Sequence, residues 1–225
     1  MQTRTKYLKQ LDDLGRSLHE LADKTTSDIR SSARALSGNV DAAEEIERGA
    51  KATRRLRSTI EDACLDIMLM QQPLVADDLR FVSGAFRIVS DLSHIDEMTR
   101  DIAYLSRQLP EKASKHLTVQ FQESSEKVST MVAAAVDSFE KSDVDQAKRV
   151  FALDDEVDSL YDQSEAIVVE LIRKGQSAKH LPELLMVAKY FERMGDDAQR
   201  IADWAVFRVT GEHAVNSKDG NAAQE

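Results

Sequence analysis

Chain-breaking residues are so scarce in this sequence that they dictate its architecture: 8 glycines and 3 prolines serve 225 residues. Turns draw on glycine for positive φ and on proline for a fixed φ, so a chain poor in both is built from few, long elements. The prolines themselves mark ends. Pro73 follows Gln71-Gln72, Pro110 closes a periodic run, and Pro182 stands where a first helical turn accepts it. Ser37-Gly38-Asn39 and Lys174-Gly175-Gln176 add two turn signals. These marks predict six helices, over roughly 4–37, 41–71, 74–109, 113–140, 143–173 and 180–210.

Periodicity agrees. Leu184, Ala188, Phe191, Gly195, Ala198, Ala202 and Ala205 recur at alternating spacings of four and three, and Phe81, Ala85, Ile88, Leu92, Ile95, Thr99, Ile102 and Ser106 do the same. Such a stripe gives a helix one apolar face, as an antiparallel bundle requires. Aromatics make up only 5% of the chain while 31% is charged, which favours amphipathic helices over a β-sandwich. The chain also reads as doubled. Val40-Asp41-Ala42-Ala43 opens the second helix as Val144-Asp145-Gln146-Ala147 opens the fifth, and Ile102-Ala103 closes the third as Ile201-Ala202 closes the sixth. The expected fold is all-α: two tandem three-helix bundles over residues 1–110 and 111–211, with a polar, disordered tail over 212–225.

A net charge of −10 argues against a nucleic-acid binder and suits a protein that binds cations or basic surfaces. The single cysteine, Cys64, forms no internal disulfide and reads as core packing in a reducing compartment. The charged segment Met1–Leu18 lacks the apolar core of a signal peptide, and no apolar run is long enough to span a bilayer, so a cytoplasmic location is expected. Lys51, Arg54, Arg55 and Arg57 form a basic cluster whose default reading is a solvated face, with an anionic partner as the alternative. His94 reads as a hydrogen-bonding partner and Trp204 as helix-end packing.

Two acidic motifs carry the chemistry. Glu192 and Asp196 share one face of the sixth helix, beside its apolar stripe, and Asp154, Asp158 and Asp162 line one face of the fifth. Like charges at this spacing repel unless a cation or a basic group lies between them. If the two helices pack antiparallel, their carboxylates meet in an all-oxygen environment suited to Mg, Mn, Zn or Fe. The competing reading is a solvated acidic face with Arg193 and Arg200 as its partners. No glycine-rich phosphate loop, nucleophile beside a base, or paired Glu-x-x-His motif is present, so the expected function is non-enzymatic. A metal-binding bundle enzyme or metal-storage protein is the alternative.

Glu192-Arg193-Met194-Gly195-Asp196 followed by Ile201-Ala202 resembles the signature of the PhoU family, as do the turn Leu69-Met70-Gln71-Gln72-Pro73-Leu74 and the acidic run Asp154-Asp155-Glu156-Val157-Asp158. The resemblance implies a fold of paired three-helix bundles and metal ions at Asp154, Asp158, Glu192 and Asp196, with Asp162, Asp203, Glu97 and Asp101 as secondary candidates. It also implies a negative regulator of phosphate uptake and phosphate-starvation signalling. Such an adaptor links a phosphate ABC transporter ATPase to a sensor histidine kinase at the inner face of the membrane, and pairs as a homodimer.

The halves are not equal. Aligning the Ile-Ala pairs sets Ser93 against Glu192, Glu97 against Asp196, and Asp96 against Gly195, while Ala50 and Arg54 stand against Asp154 and Asp158. Arg54 is therefore expected to supply Glu97 and Asp101 with the charge a metal would bring, leaving the second repeat as the better site. Arg200, where the family often has Asn, is expected to pair with Asp196.

Overall fold

The computed structural model describes residues 2–70, 75–175 and 178–214, and among these every regular element is helical. In chain order they are α1 (Gln2–Leu36), α2 (Val40–Met70), α3 (Ala76–Ser106), a one-turn α4 (Glu111–Ser114), α5 (Thr118–Lys141), α6 (Val144–Arg173) and α7 (Leu181–Thr210), the last preceded by a 3-10 turn at Ala178–His180. The turn expected around Pro73 lies outside the described residues.

Helix ends follow local chemistry. The Asn39 side chain accepts from Ala42 N at 3.1 Å to start α2, and Asp143 accepts from Gln146 N at 2.9 Å to start α6. Gly211, at φ 81°, takes the left-handed position that ends α7. One predicted boundary moves. The segment read as a helix from residue 113 onward breaks at Leu117 (φ −123°, ψ 12°), and α5 starts at Thr118. Leu117 is fully buried and Leu109 nearly so, so the connection folds back to pack its own leucines rather than extend the helix.

Helices α1, α2 and α3 pack on one another, as do α5, α6 and α7, and the two sets join through α1 against α5 and α3 against α7. The four central helices thus form one block, with α2 on one flank and α6 on the other. The two bundles expected side by side share a single core, running from Leu14 and Leu18 through Ile88 and Leu92 to Val132, Phe139, Phe191 and Ile201. A central helix meets neighbours on two sides, so its buried surface is wider than one stripe. In α3, Val82, Val89 and Met98 are buried besides the predicted face, and in α7 so are Val187, Met194 and Val206.

One end of the block is closed by a stack. Phe81 and Phe139 lie face to face with centroids 5.5 Å apart, and the Arg208 guanidinium sits 4.6 Å over Phe81 while donating to the carbonyls of Phe139 and Glu140 at 2.6 and 3.0 Å. Gly84 makes room for the Phe139 ring, since a Cβ there would come within 2.6 Å of it. Just past α7, the His213 ring stacks on Phe207 at 4.5 Å and meets Trp204 edge-on at 4.9 Å. Trp204 therefore packs at a helix end. The tail begins as an ordered cap, and residues 215–225 lie outside the described residues.

Candidate acidic site

Antiparallel packing of α6 on α7 brings the predicted carboxylates together. Asp154 and Asp158, one turn apart on α6, face Glu192 and Asp196, one turn apart on α7. Gly195 is what lets the helices close. A Cβ at that position would lie 2.9 Å from Asp154 Oδ1, so the carboxyl of Asp154 occupies the space a larger residue would fill. Asp154 is only 6% exposed. Gln199 Nε2 donates to its Oδ2 at 2.7 Å, and its Oδ1 has no hydrogen-bond partner. Across the hairpin, Glu192 Oε1 accepts from Lys189 Nζ at 2.6 Å while its Oε2 is likewise without a partner. Lys189 also lies 5.1 Å over the Tyr161 ring.

The electrostatics record a deficit of positive charge. Burial, reinforced by Asp158, Asp196, Asp155 and Glu192, pushes the Asp154 carboxyl from 3.8 to about 7. Burial also raises Asp158 and Asp196, each helped by the charge on Glu192. Among the described residues, Lys189 is the one cation in direct contact with this group. Four carboxylates with two orphaned buried oxygens have the donor chemistry of a site for a hard cation. As placed, however, no three His, Cys, Asp or Glu side chains among the described residues converge as a ligand set. The residues fit a divalent cation in kind, and their side chains must swing inward to hold one.

The first repeat answers the same problem in part with its own side chains, its buried Asp96 keeping one oxygen, Oδ1, without a hydrogen-bond partner. Its buried carboxylate comes from the opposite helix: Ala50 stands where Asp154 would be, and Asp96 of α3, 2% exposed, stands where Gly195 would be. Arg100, the counterpart of Gln199, pairs with Asp96 at 3.3 Å. Lys24 of α1 pairs with buried Asp28 at 2.7 Å, its ammonium resting against the bare backbone of Gly49. Burial still raises both carboxyls, Asp28 to about 6, but Arg100 and Lys24 oppose the shift. The expectation for Arg54 is corrected here. It is exposed, with no ion pair to Glu97 or Asp101, because Arg100 reaches the buried acid from within the bundle.

A second polar group ties α3 to α7. Buried Asp197 accepts from His94 Nδ1 at 2.6 Å and pairs with Arg200, which also reaches Asp91 at 3.3 Å. Arg200 is thus engaged by Asp197 and Asp91 instead of the expected Asp196, on which it acts only through its charge. The repeat shows in this contact: Tyr190, the counterpart of Asp91, bonds Asp101, the counterpart of Arg200. The secondary candidates disperse. Asp162 and Glu97 are exposed, Glu97 lying 4.0 Å from Arg100, and Asp101 is engaged by Tyr190. Asp203 accepts from Ala214 N at 2.6 Å and from His213, tying the segment just past α7 back onto that helix. Asp197, Lys189 and Gln199 escaped the sequence reading. The one available signal was the alignment of Gln199 with Arg100, which marks where a repeat gained an internal cation.

Known proteins share this fold. The PhoU domain family profile matches twice, over residues 18–105 and 121–205. The chain is 32% identical over 209 residues to a phosphate-specific transport system accessory protein PhoU homolog of Aquifex aeolicus, covering 92% of this chain and 94% of that one. It is 26% identical over 209 residues to PhoU homolog 1 of Methanothermobacter thermautotrophicus, covering 92% and 95%. The crystal structure of the phosphate transport system regulatory protein PhoU from Streptococcus pneumoniae superposes with a TM-score of 0.82 at 24% identity, over 92% of this chain and 99% of that one.

Proposed function

The chain belongs to the PhoU family, and from that premise we propose that it is a cytoplasmic accessory regulator of a phosphate transport system, a non-catalytic adaptor joining the transporter ATPase to a sensor histidine kinase. The observation that carries the proposal is the doubled family match, one copy on each repeat, together with an Aquifex relative of the same extent named as a phosphate-specific transport system accessory protein homolog. An adaptor acts through its surfaces. No helix among the described residues is long and apolar enough to cross a membrane, so contact with the inner face of the membrane would come through partners. Capture of the transporter ATPase and the kinase by the tagged full chain is the test. Recovery of neither under phosphate-replete or phosphate-starved growth overturns the adaptor reading.

The acidic site of the second repeat is proposed to hold a divalent cation or iron on Asp154, Asp158, Glu192 and Asp196. The orphaned oxygens of Asp154 and Glu192 support this. Such an ion would supply positive charge that clamps α6 to α7. Metal content and affinity for Mg, Mn, Zn and Fe, compared between wild type and Glu192→Ala with Asp196→Ala, decide it: unchanged content in the double variant removes the site.

A further inference from the structure

A cavity of about 730 Å³ opens between the last turns of α1 and the first turns of α5, within the range of about 300–1,000 Å³ usual for small-molecule sites. The two helices run antiparallel, so His19 pairs with Glu140 at one end of their seam and Ala33 lies beside Ser125 at the other. Ala33 and Ser125 are buried and form the floor, because neither side chain is long enough to fill the gap between the helices. Ser125 Oγ is satisfied within its own helix by the Gln122 carbonyl at 2.9 Å. Arg30 and Arg34 stand one turn apart on the α1 wall. Arg30 is exposed and has no hydrogen-bond or ion-pair partner among the described residues. Arg34 donates to Ser31 Oγ at 2.8 Å and reaches Glu45 only at 3.5 Å, a contact that water screens because both side chains are 56% exposed. On the α5 wall the Glu126 carboxylate is likewise without a partner among the described residues. Arg30 and Glu126 thus line one cavity without closing it by pairing with each other. At the rim, Asn39 uses Oδ1 to start α2 and keeps Nδ2 free, and the Gln122 amide is unengaged.

Each wall selects a different part of a ligand. Two guanidiniums one turn apart repel, and an oxyanion between them relieves the repulsion through charge-assisted, forked hydrogen bonds. A carboxylate brings a single charge, whereas a phosphate monoester brings about −1.5 to −2 with three acceptor oxygens. The facing carboxylate of Glu126 repels a bare anion but accepts from hydroxyl groups, and the two rim amides can donate and accept. We propose that this cavity binds a phosphate monoester with a hydroxylated body, a sugar phosphate or a nucleotide. Arg30 and Arg34 hold the phosphate, and Glu126 takes the hydroxyl groups. The ligand bridges α1 of the first repeat and α5 of the second, so its binding fastens the two repeats together. None of the acidic-site residues lines the cavity, which makes this site independent of the metal and of the adaptor role.

Titration calorimetry of the full chain tests this, at about 20 mM salt to limit screening and in chelator so that no metal bridges phosphate to the acidic site. The probes are AMP, ribose 5-phosphate, inorganic phosphate and ribose. At least one of the two esters should bind at a single saturable site, with inorganic phosphate at least about tenfold weaker and ribose alone not binding. Equal binding of both esters identifies a sugar phosphate as sufficient, and binding of AMP alone identifies a nucleotide. Arg30→Ala with Arg34→Ala should weaken the ester at least about tenfold, whereas Arg54→Ala with Arg55→Ala, exposed on α2, should bind as wild type does. Glu126→Gln should weaken the ester and leave inorganic phosphate no weaker. All five positions are exposed, and circular dichroism confirms that each variant keeps its helices. The proposal is overturned if neither ester binds, or if inorganic phosphate binds as tightly as the esters. It is equally overturned if the Arg30 and Arg34 variant binds as wild type does, or if the α2 control loses binding to the same extent.

Discussion

Replacing Asp154 with asparagine keeps the shape of the side chain and an oxygen to accept from Gln199 Nε2 while removing the charge. In the fold this carboxyl holds its proton up to about 7 instead of 3.8. A group whose acid form is favoured by folding contributes most when protonated, and that contribution is lost as pH rises from about 4 through about 7. Fully ionised, a carboxyl shifted this far costs about 4 kcal/mol. Protonation of Asp158 or Asp196, both raised by burial, relieves part of the strain, so the expected net is about 2 kcal/mol. In chelator, Asp154→Asn should therefore be more stable than wild type by about 2 kcal/mol at pH 8, with the gap closing as pH falls toward 4. Urea unfolding at intervals across that range, followed by circular dichroism, measures it. A gap that does not change with pH, or a variant less stable than wild type at pH 8, refutes the reasoning. Adding a divalent cation at about 100 times its Kd should stabilise wild type by about 2.7 kcal/mol and the variant by much less, reducing or reversing the order.

Gly195→Ala brings a Cβ to 2.9 Å from Asp154 Oδ1 and should cost about 1–2 kcal/mol, but in the background of Asp154→Ala it should become neutral or stabilising, read as non-additivity in thermal or urea unfolding. Asp197→Ala strands His94 and Arg200 around a buried gap and should destabilise by about 3 kcal/mol, whereas Glu97→Ala, at an exposed position of α3, should change stability by less than about 0.5 kcal/mol. Gly84→Ala pushes against the Phe139 ring at 2.6 Å and should lower stability by about 1–3 kcal/mol, with loss of near-ultraviolet dichroism from the stacked rings.

Helix number and the buried faces were legible because burial on a helix repeats with its turn. Every residue of the stripe from Leu184 to Ala205 is buried, and Phe81 to Ile102 likewise. Cys64, read as core, is fully buried, and burial pushes its thiol up to about 12. The meeting of Asp154 and Asp158 with Glu192 and Asp196 was legible for the same reason, since the motif spacing sets carboxylates one turn apart on facing helices, whereas the place of Gly195 opposite Asp154 was not. Partners across the halves were not. Asp91 with Arg200, His94 with Asp197 and Tyr190 with Asp101 are chosen by how α3 lies against α7, which no local spacing encodes. Arg54 was misread because alignment gives the position of a side chain along its helix but not its reach, and Arg100 on the neighbouring helix is better placed.

The buried carboxylate sits on α6 in one repeat and on α3 in the other, and this constrains how the halves diverged. Two acids in the shared space, as Asp96 with an aspartate at position 50 would give, collide where Asp154 already needs glycine opposite. Neither arrangement turns into the other by one substitution without passing through a crowded, doubly charged interior or an empty one. The two hairpins have become sterically incompatible parts. A chimaera that exchanged α3 for α7 would set Asp96 against Asp154. The duplication is therefore locked: each half now evolves against its own partner helix, and the copies are no longer spares for one another.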